Sequence, residues 1–287
     1  MVEANSSSDS TRNIIDAHVH VWTDAFGKYP LAKGFQPQDM EPKTFIPQDI
    51  LSRAQPCGVG RIVLIQMSYY GFDNSYMLDV MDQWPNVFAG VAAVDWNASH
   101  PEAEMRRLAR LGVRGFRIFP EGCPAQSCLD GDGIDSMFRC AAEEGFAICL
   151  LINPDALGAA QRRCERFPET TVVIDHLARI GMAAPIRSSE VQSLCSLARL
   201  PHVKVKVSAF YALGEKKLPH SDLIPLIRQV YESFGEQRLM WGTDCPFQLT
   251  SETYQDSLSV IQNTLSFLTL EAKEWILGRT AEATFFS

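Results

Sequence analysis

Two histidines separated by one residue, His18 and His20, end the apolar run Ile14–His20, which reads IIDAHVH. On a strand, residues two apart share a face, so the two imidazoles point together. Such a pair holds a divalent metal or polarises a carbonyl oxygen. Asp244 follows another apolar run, in LMWGTDCPF. A carboxylate at a strand end serves as a general base on water or as a metal ligand. His176 ends the run VVIDH and reaches the same place from the far side. Each has a plainer reading: strand-end caps for the histidines, and a turn aspartate before Pro246.

Further candidates flank these. In VRGFRI, Arg114 and Arg117 lie three apart and so on opposite faces. Arg117 is nearer the strand's end, where its fork could take a substrate carboxylate or simply pack at a rim. Asn153, Ser208 and Tyr211 follow other apolar runs and offer hydrogen bonds to a substrate. The side of its strand on which Asp175 lies is open. Lys204 and Lys206 share one face of VKVKV and are expected to point outward or toward the strand's start. His100, His202 and His220 are read as surface or structural residues.

These residues sit at the ends of eight short apolar runs: 14–20, 61–66, 87–94, 113–119, 146–152, 171–175, 203–207 and 238–242. Continuous apolar runs fit parallel strands buried on both faces. Between them lie stretches with helical spacing, such as 101–111, stopped by Gly112, and 136–144, stopped by Gly145. Eight βα units in 287 residues predict an α/β fold, a single-domain (β/α)8 TIM barrel over residues 13–287 behind a polar tail, 1–12. A doubly wound open sheet is the competing fold. It usually carries a glycine-rich phosphate loop after its first strand, where this chain has histidines. The long loop 21–45 and the stretch 123–133 fall on the catalytic face and are expected to shape the pocket.

The formal net charge of -8 disfavours nucleic acid and anionic membranes as partners and says little about a small substrate. Eight cysteines without a C-x-x-C pair suggest reduced thiols in a cytoplasmic protein. The serine-rich start has no apolar core of a secretory signal, and no apolar run is long enough to span a bilayer.

The motifs DAHVH, VVIDHLAR, VKVKVSAF and RLMWGTDCPF resemble the amidohydrolase superfamily over nearly the whole chain, 14–286. The resemblance is to its amidohydrolase-related branch, which includes 2-pyrone-4,6-dicarboxylate lactonase, sugar-acid lactonases and metal-dependent decarboxylases. It implies a barrel with His18, His20 and Asp244 in a shared site, and one divalent ion, zinc, on those three residues or no metal at all. The decarboxylases place a further histidine ligand on strand five, where this chain reads Leu151-Ile152-Asn153-Pro154. His176 resembles the strand-six histidine of the lactonases. The expected activity is therefore hydrolysis of a sugar-acid or carboxylated lactone, with Asp244 as base and His18, His20 and His176 polarising the carbonyl. A zinc-dependent decarboxylase or C–C hydrolase is the first alternative, and a barrel that binds a small molecule without turnover the second. The closing helices could support a homodimer.

Overall fold

The computed structural model describes residues 14–120 and 122–286, so the expected polar tail lies outside the described residues. Eight parallel strands run in chain order: β1 (Ile14–Val19), β2 (Val59–Ile65), β3 (Phe88–Ala93), β4 (Val113–Ile118), β5 (Ala147–Leu150), β6 (Thr171–Ile174), β7 (Val203–Ser208) and β8 (Leu239–Gly242). The sheet closes at the catalytic end. Val19 bridges Cys245, and the Asp244 and His20 amides donate to the His18 and Cys245 carbonyls at 2.9 and 2.8 Å. Between the strands lie α1 (Pro47–Ala54), α2 (Ser75–Gln83), α3 (Pro101–Ala109), α4 (Asp132–Glu144), α5 (Leu157–Arg166), α6 (Ser188–Ser196) and α7 (Ile224–Phe234). The fold is the expected single-domain (β/α)8 barrel. The stretch 251–268 forms α8 (Tyr254–Ser259) running into a wider π-helical turn at Val260–Thr264, and α9 (Leu270–Glu274) follows.

Two apolar layers follow from strand alternation. One residue set on each strand meets the helices: Val203, Val205 and Val207 on β7, and Leu239 and Trp241 on β8. The other set fills the barrel: Ile15, Ala17, Val63, Ile65, Val91, Ala147, Cys149, Val173 and Met240. Phe285, from the closing helix Thr280–Phe285 (α10), joins this inner cluster and plugs the barrel's floor.

Strict alternation on β1 would send His18 and His20 outward, because Ile15 and Ala17 point in. The register of β1 on β2 slips between Asp16 and Val19, from Asp16↔Ile62 to Val19↔Leu64. This irregularity reverses the phase, so both histidines face the barrel mouth while Val19 packs in the helix-facing layer. Gly242 on β8 completes the fit. A Cβ there would lie 2.8 Å from the His18 Cβ and 2.9 Å from its amide nitrogen, so a side chain at this position would displace His18.

Candidate active site

The strands bring four predicted residues to one point at their C-terminal ends. His18 Nε2 lies 3.3 Å from His20 Nε2 and 3.5 Å from Asp244 Oδ1. Asp244 Oδ1 is also 3.3 Å from His20 Nε2 and 3.8 Å from His176 Nε2. All four residues are buried. His20, His176 and Asp244 border a cavity of about 220 Å³ whose walls also include Arg117, Tyr211 and Phe247, while His18 lies behind them.

Each side chain is held from behind. His20 Nδ1 contacts the Ile65 carbonyl at 2.9 Å, and His176 Nδ1 contacts the Ser208 hydroxyl at 2.8 Å. Tyr211 donates its phenolic proton to Asp244 Oδ2 at 2.7 Å. Asp16 ties β1 to the turn after β8. It accepts from the Thr243 amide and hydroxyl, the His18 amide and the Tyr254 hydroxyl at 2.6 to 3.1 Å.

Below the histidines sits a buried charged group. Lys206 Nζ lies 3.1 Å from Asp175 Oδ1 and 3.2 Å from His18 Nδ1. Arg117 Nε donates to Asp175 Oδ2 at 3.1 Å. Of Lys204 and Lys206, both expected to point outward or toward the strand's start, only Lys206 departs from this, lying inside beneath the site. Both face the barrel, Lys204 near its floor on the Thr284 hydroxyl at 2.7 Å and Lys206 beneath the site. The signal was present in the sequence: Ser208 was placed at the active end, and Lys206 lies two residues before it on the same strand face. Asp175 turns inward and pairs with Arg117, which also lines the cavity wall. His220, one of the residues read as surface or structural, is buried against Glu252 at 2.7 Å, whereas His100 is exposed.

Charge states follow from this packing. Burial, with Lys206 and His176 adding to it, holds His18 well below the usual imidazole range, and burial brings His176 down to about 4. Both imidazoles are therefore neutral at neutral pH. Burial works to raise Asp175, but Lys206, His18 and Arg117 outweigh it and keep it ionised. Burial also works to raise Asp244, and His176, the hydrogen bond to His20, and His18 outweigh it. Burial and the neighbouring Asp244 push the Tyr211 phenol up, so it stays a donor.

The backbone that delivers His176 is unusual. His176, Leu177, Ala178 and Arg179 have φ of 52 to 57°, a left-handed turn built without glycine. Each such residue costs on the order of 1–2 kcal/mol. The turn presents His176 to Asp244 and places Arg179, which sequence reasoning passed over, on the cavity wall. Arg179 and Leu151 also line an adjacent cavity of about 260 Å³ with Asn153, Asp155 and Cys123. Asn153 thus borders this second cavity instead of the first, and Ser208 backs His176 instead of lining the cavity. The loop 21–45 lines neither cavity; its Trp22 packs behind Phe247, ring centroids 5.7 Å apart. The stretch 123–133 contributes Cys123, Ala125 and Cys128 to the second.

A divalent ion can be tested against the donors present. One donor atom from each of His18, His176 and Asp244 lies within 4.8 Å of the others, and His20 stands beside them. Nitrogen and carboxylate donors at this spacing fit one zinc-like ion, and donor atoms of the expected set, His18, His20 and Asp244, also lie within 3.5 Å of one another.

A parallel barrel with a cluster of histidines and one aspartate at the strand ends defines a barrel hydrolase of the histidine–carboxylate type. The amidohydrolase family model matches residues 15–286, and the chain belongs to that family. The L-fucono-1,5-lactonase of Burkholderia ambifaria is 30% identical over 244 residues, 81% of this chain and 80% of that one. The 4-sulfomuconolactone hydrolase of Rhizobium radiobacter is 26% identical over 80% of this chain and 75% of its own. Among solved structures, an amidohydrolase from Burkholderia multivorans with bound zinc has a TM-score of 0.80 at 21% identity, covering 94% of this chain and 98% of that one.

Proposed function

We propose that this protein hydrolyses a lactone that carries hydroxyl or carboxylate substituents. The observation that carries the reading is the convergence of His20, His176 and Asp244 on one cavity, with His18 packed against them from behind. The names of the relatives, all lactone hydrolases, support the bond that is cleaved. Asp244 takes a proton from water as the oxygen attacks the lactone carbonyl, and returns it to the ring oxygen as the bond between that oxygen and the carbonyl carbon breaks. The imidazoles surround the position of the carbonyl oxygen and stabilise its developing negative charge. Asp244 is ionised but a weak base in the resting site. A lactone seated over the histidine tips draws their polar contacts to itself, which strengthens Asp244 as an acceptor when the proton must move. An ion on His18, His176 and Asp244 would supply Lewis-acid polarisation of the same carbonyl.

Arg117 and Arg179 both line the cavity wall and are the cations that would meet a substrate carboxylate, and Asn153 and Asp155 suit hydroxyl groups on a longer substituent. No histidine follows β5, which leaves the decarboxylase ligand set incomplete. The test is a panel of aldonolactones, muconolactones and pyrone carboxylates, followed by acid release with a pH indicator. Turnover of one class is expected, with kcat falling by ~10³-fold or more in Asp244→Asn while binding persists. An unchanged rate in Asp244→Asn would remove Asp244 from the role of base.

A further inference from the structure

Among the described residues, two hydrogen bonds join the segment after β7 to the segment after β8. One runs from the Tyr211 hydroxyl to Asp244 Oδ2 at 2.7 Å, on the cavity wall. The other lies behind the wall. There His220 Nε2 stands 2.7 Å from Glu252 Oε2, and the two side chains are 1% and 2% exposed. Neither His220 nor Glu252 lines the cavity, so neither touches a substrate.

The segment after β7 is not held by its own backbone preferences. Ala209, Lys216 and His220 stand in the left-handed region, with φ of 58, 56 and 61°. A β-carbon disfavours that conformation, so contacts elsewhere must hold it. This segment supplies Tyr211, Ala212 and Leu213 to the cavity wall, and the segment after β8 supplies Asp244 and Phe247. His220 reaches Tyr211 through its chain neighbour, since the fully buried Phe210 ring lies 6.0 Å from the His220 ring, centroid to centroid. On the other side, the Glu252 amide donates to the carbonyl of Gln248 at 3.0 Å, the residue after Phe247. Glu252 is also felt at the wall: after burial and Asp244, its charge adds to the rise of the Tyr211 phenol.

We propose that His220 and Glu252 are positioning residues, whose buried bond braces the segment after β7 against the segment after β8 and so holds the Tyr211 hydroxyl on Asp244. Such a pair adds little to stability, because desolvating both partners offsets most of their attraction. The brace is therefore separable from folding. Removing one partner leaves the other buried and unpaired, whereas replacing both with apolar side chains does not. Only the use that Asp244 makes of the Tyr211 bond rests on the lactone reading. The position of Tyr211 is measured without substrate, so either idea can fail alone.

The first experiment is ¹⁹F NMR of protein labelled with fluorotyrosine. The chain has seven tyrosines, and Tyr211 is assigned by the signal lost in Tyr211→Phe. In His220→Leu/Glu252→Leu the Tyr211 signal should move toward that of a solvated fluorotyrosine, while the remaining tyrosine signals stay in place. An unmoved Tyr211 signal in that folded variant overturns the proposal. The second experiment is kinetic. The same variant should lose ~10-fold in kcat with KM within ~3-fold of wild type. On a Tyr211→Phe background the two substitutions should cost less than ~2-fold, because the hydroxyl that the brace serves is already gone. An equal loss on both backgrounds also overturns it, since that is how independent sites behave. Where the pair variant does not fold, His220→Ala, which leaves room for water at Glu252, replaces it with the same expectations. Where no lactone is turned over, the fluorine signal alone decides.

Discussion

Tyr211 is the side chain through which the catalytic carboxylate can be tuned without being removed. Its hydroxyl donates to Asp244 Oδ2, the oxygen turned away from the histidines. A donor to an ionised carboxylate stabilises the charged form and lowers its pKa. Asp244 lies below the ordinary carboxylate range, so its basic form is lost only as pH falls through that depressed value. Tyr211→Phe keeps the ring and deletes the donor. Its kcat should fall by ~10-fold, since Asp244 loses the bond that holds its rotamer. An unchanged kcat in folded Tyr211→Phe would show that Tyr211 only lines the wall. The reading of Tyr211 as a substrate contact thus gains a second role that no sequence pattern shows, since the partner lies 33 positions away.

At the scale of elements, the strands and their ends were legible because each carries an apolar run with a polar terminus. What alternation does not show is how the histidines are aimed. The slip in β1 turns His18 and His20 into the site, the left-handed turn after β6 does the same for His176, and neither changes composition. Lys206 was misassigned for a different reason: charge suggested solvent, while the closed barrel offered Asp175 and a histidine inside. The clamp between β1 and β8 gives this scale its own test. Asp16 is fully buried, and burial raises its pKa to about 6 despite hydrogen bonds from Thr243, His18 and Tyr254. A carboxyl whose pKa is raised on folding adds stability below its unfolded value, and that stability is lost as pH rises through the folded one. The stability of wild type relative to Asp16→Asn should therefore increase by roughly 1 kcal/mol between about pH 7.5 and 5. Thermal melts of both proteins across that range measure it. A difference that shrinks toward acid pH would mean that the hydrogen bonds outweigh burial and that the folded Asp16 titrates below the ordinary carboxylate range.

For the whole molecule, the floor of the barrel and its mouth are parts of one column of side chains. Phe285 enters from the closing helix α10 and fills the interior beneath Gly115, where an added Cβ would meet its ring at 3.1 Å. Lys206 Nζ stands 5.6 Å from the Phe285 ring centroid, with Asp175 and His18 above it. The last residues of the chain thus support the cation beneath the first strand's histidine. A barrel whose floor is stoppered by one aromatic ring has little means to collapse around its loss, because the surrounding strands are fixed by their hydrogen bonds. Phe285→Ala should cost about 3–5 kcal/mol, transfer and cavity together, and lower Tm by roughly 10 °C. The cavity lies at the opposite end of the barrel from the reacting atoms, and the ion pairs of Asp175 with Lys206 and Arg117 do not depend on the ring. At a temperature where the variant remains folded, its kcat on the preferred lactone should stay within ~3-fold of wild type. Calorimetry paired with kinetics separates the outcomes. A large loss of kcat in the folded variant would show that the plug positions Lys206 for catalysis, and an unchanged Tm would mean that the interior repacks around the space.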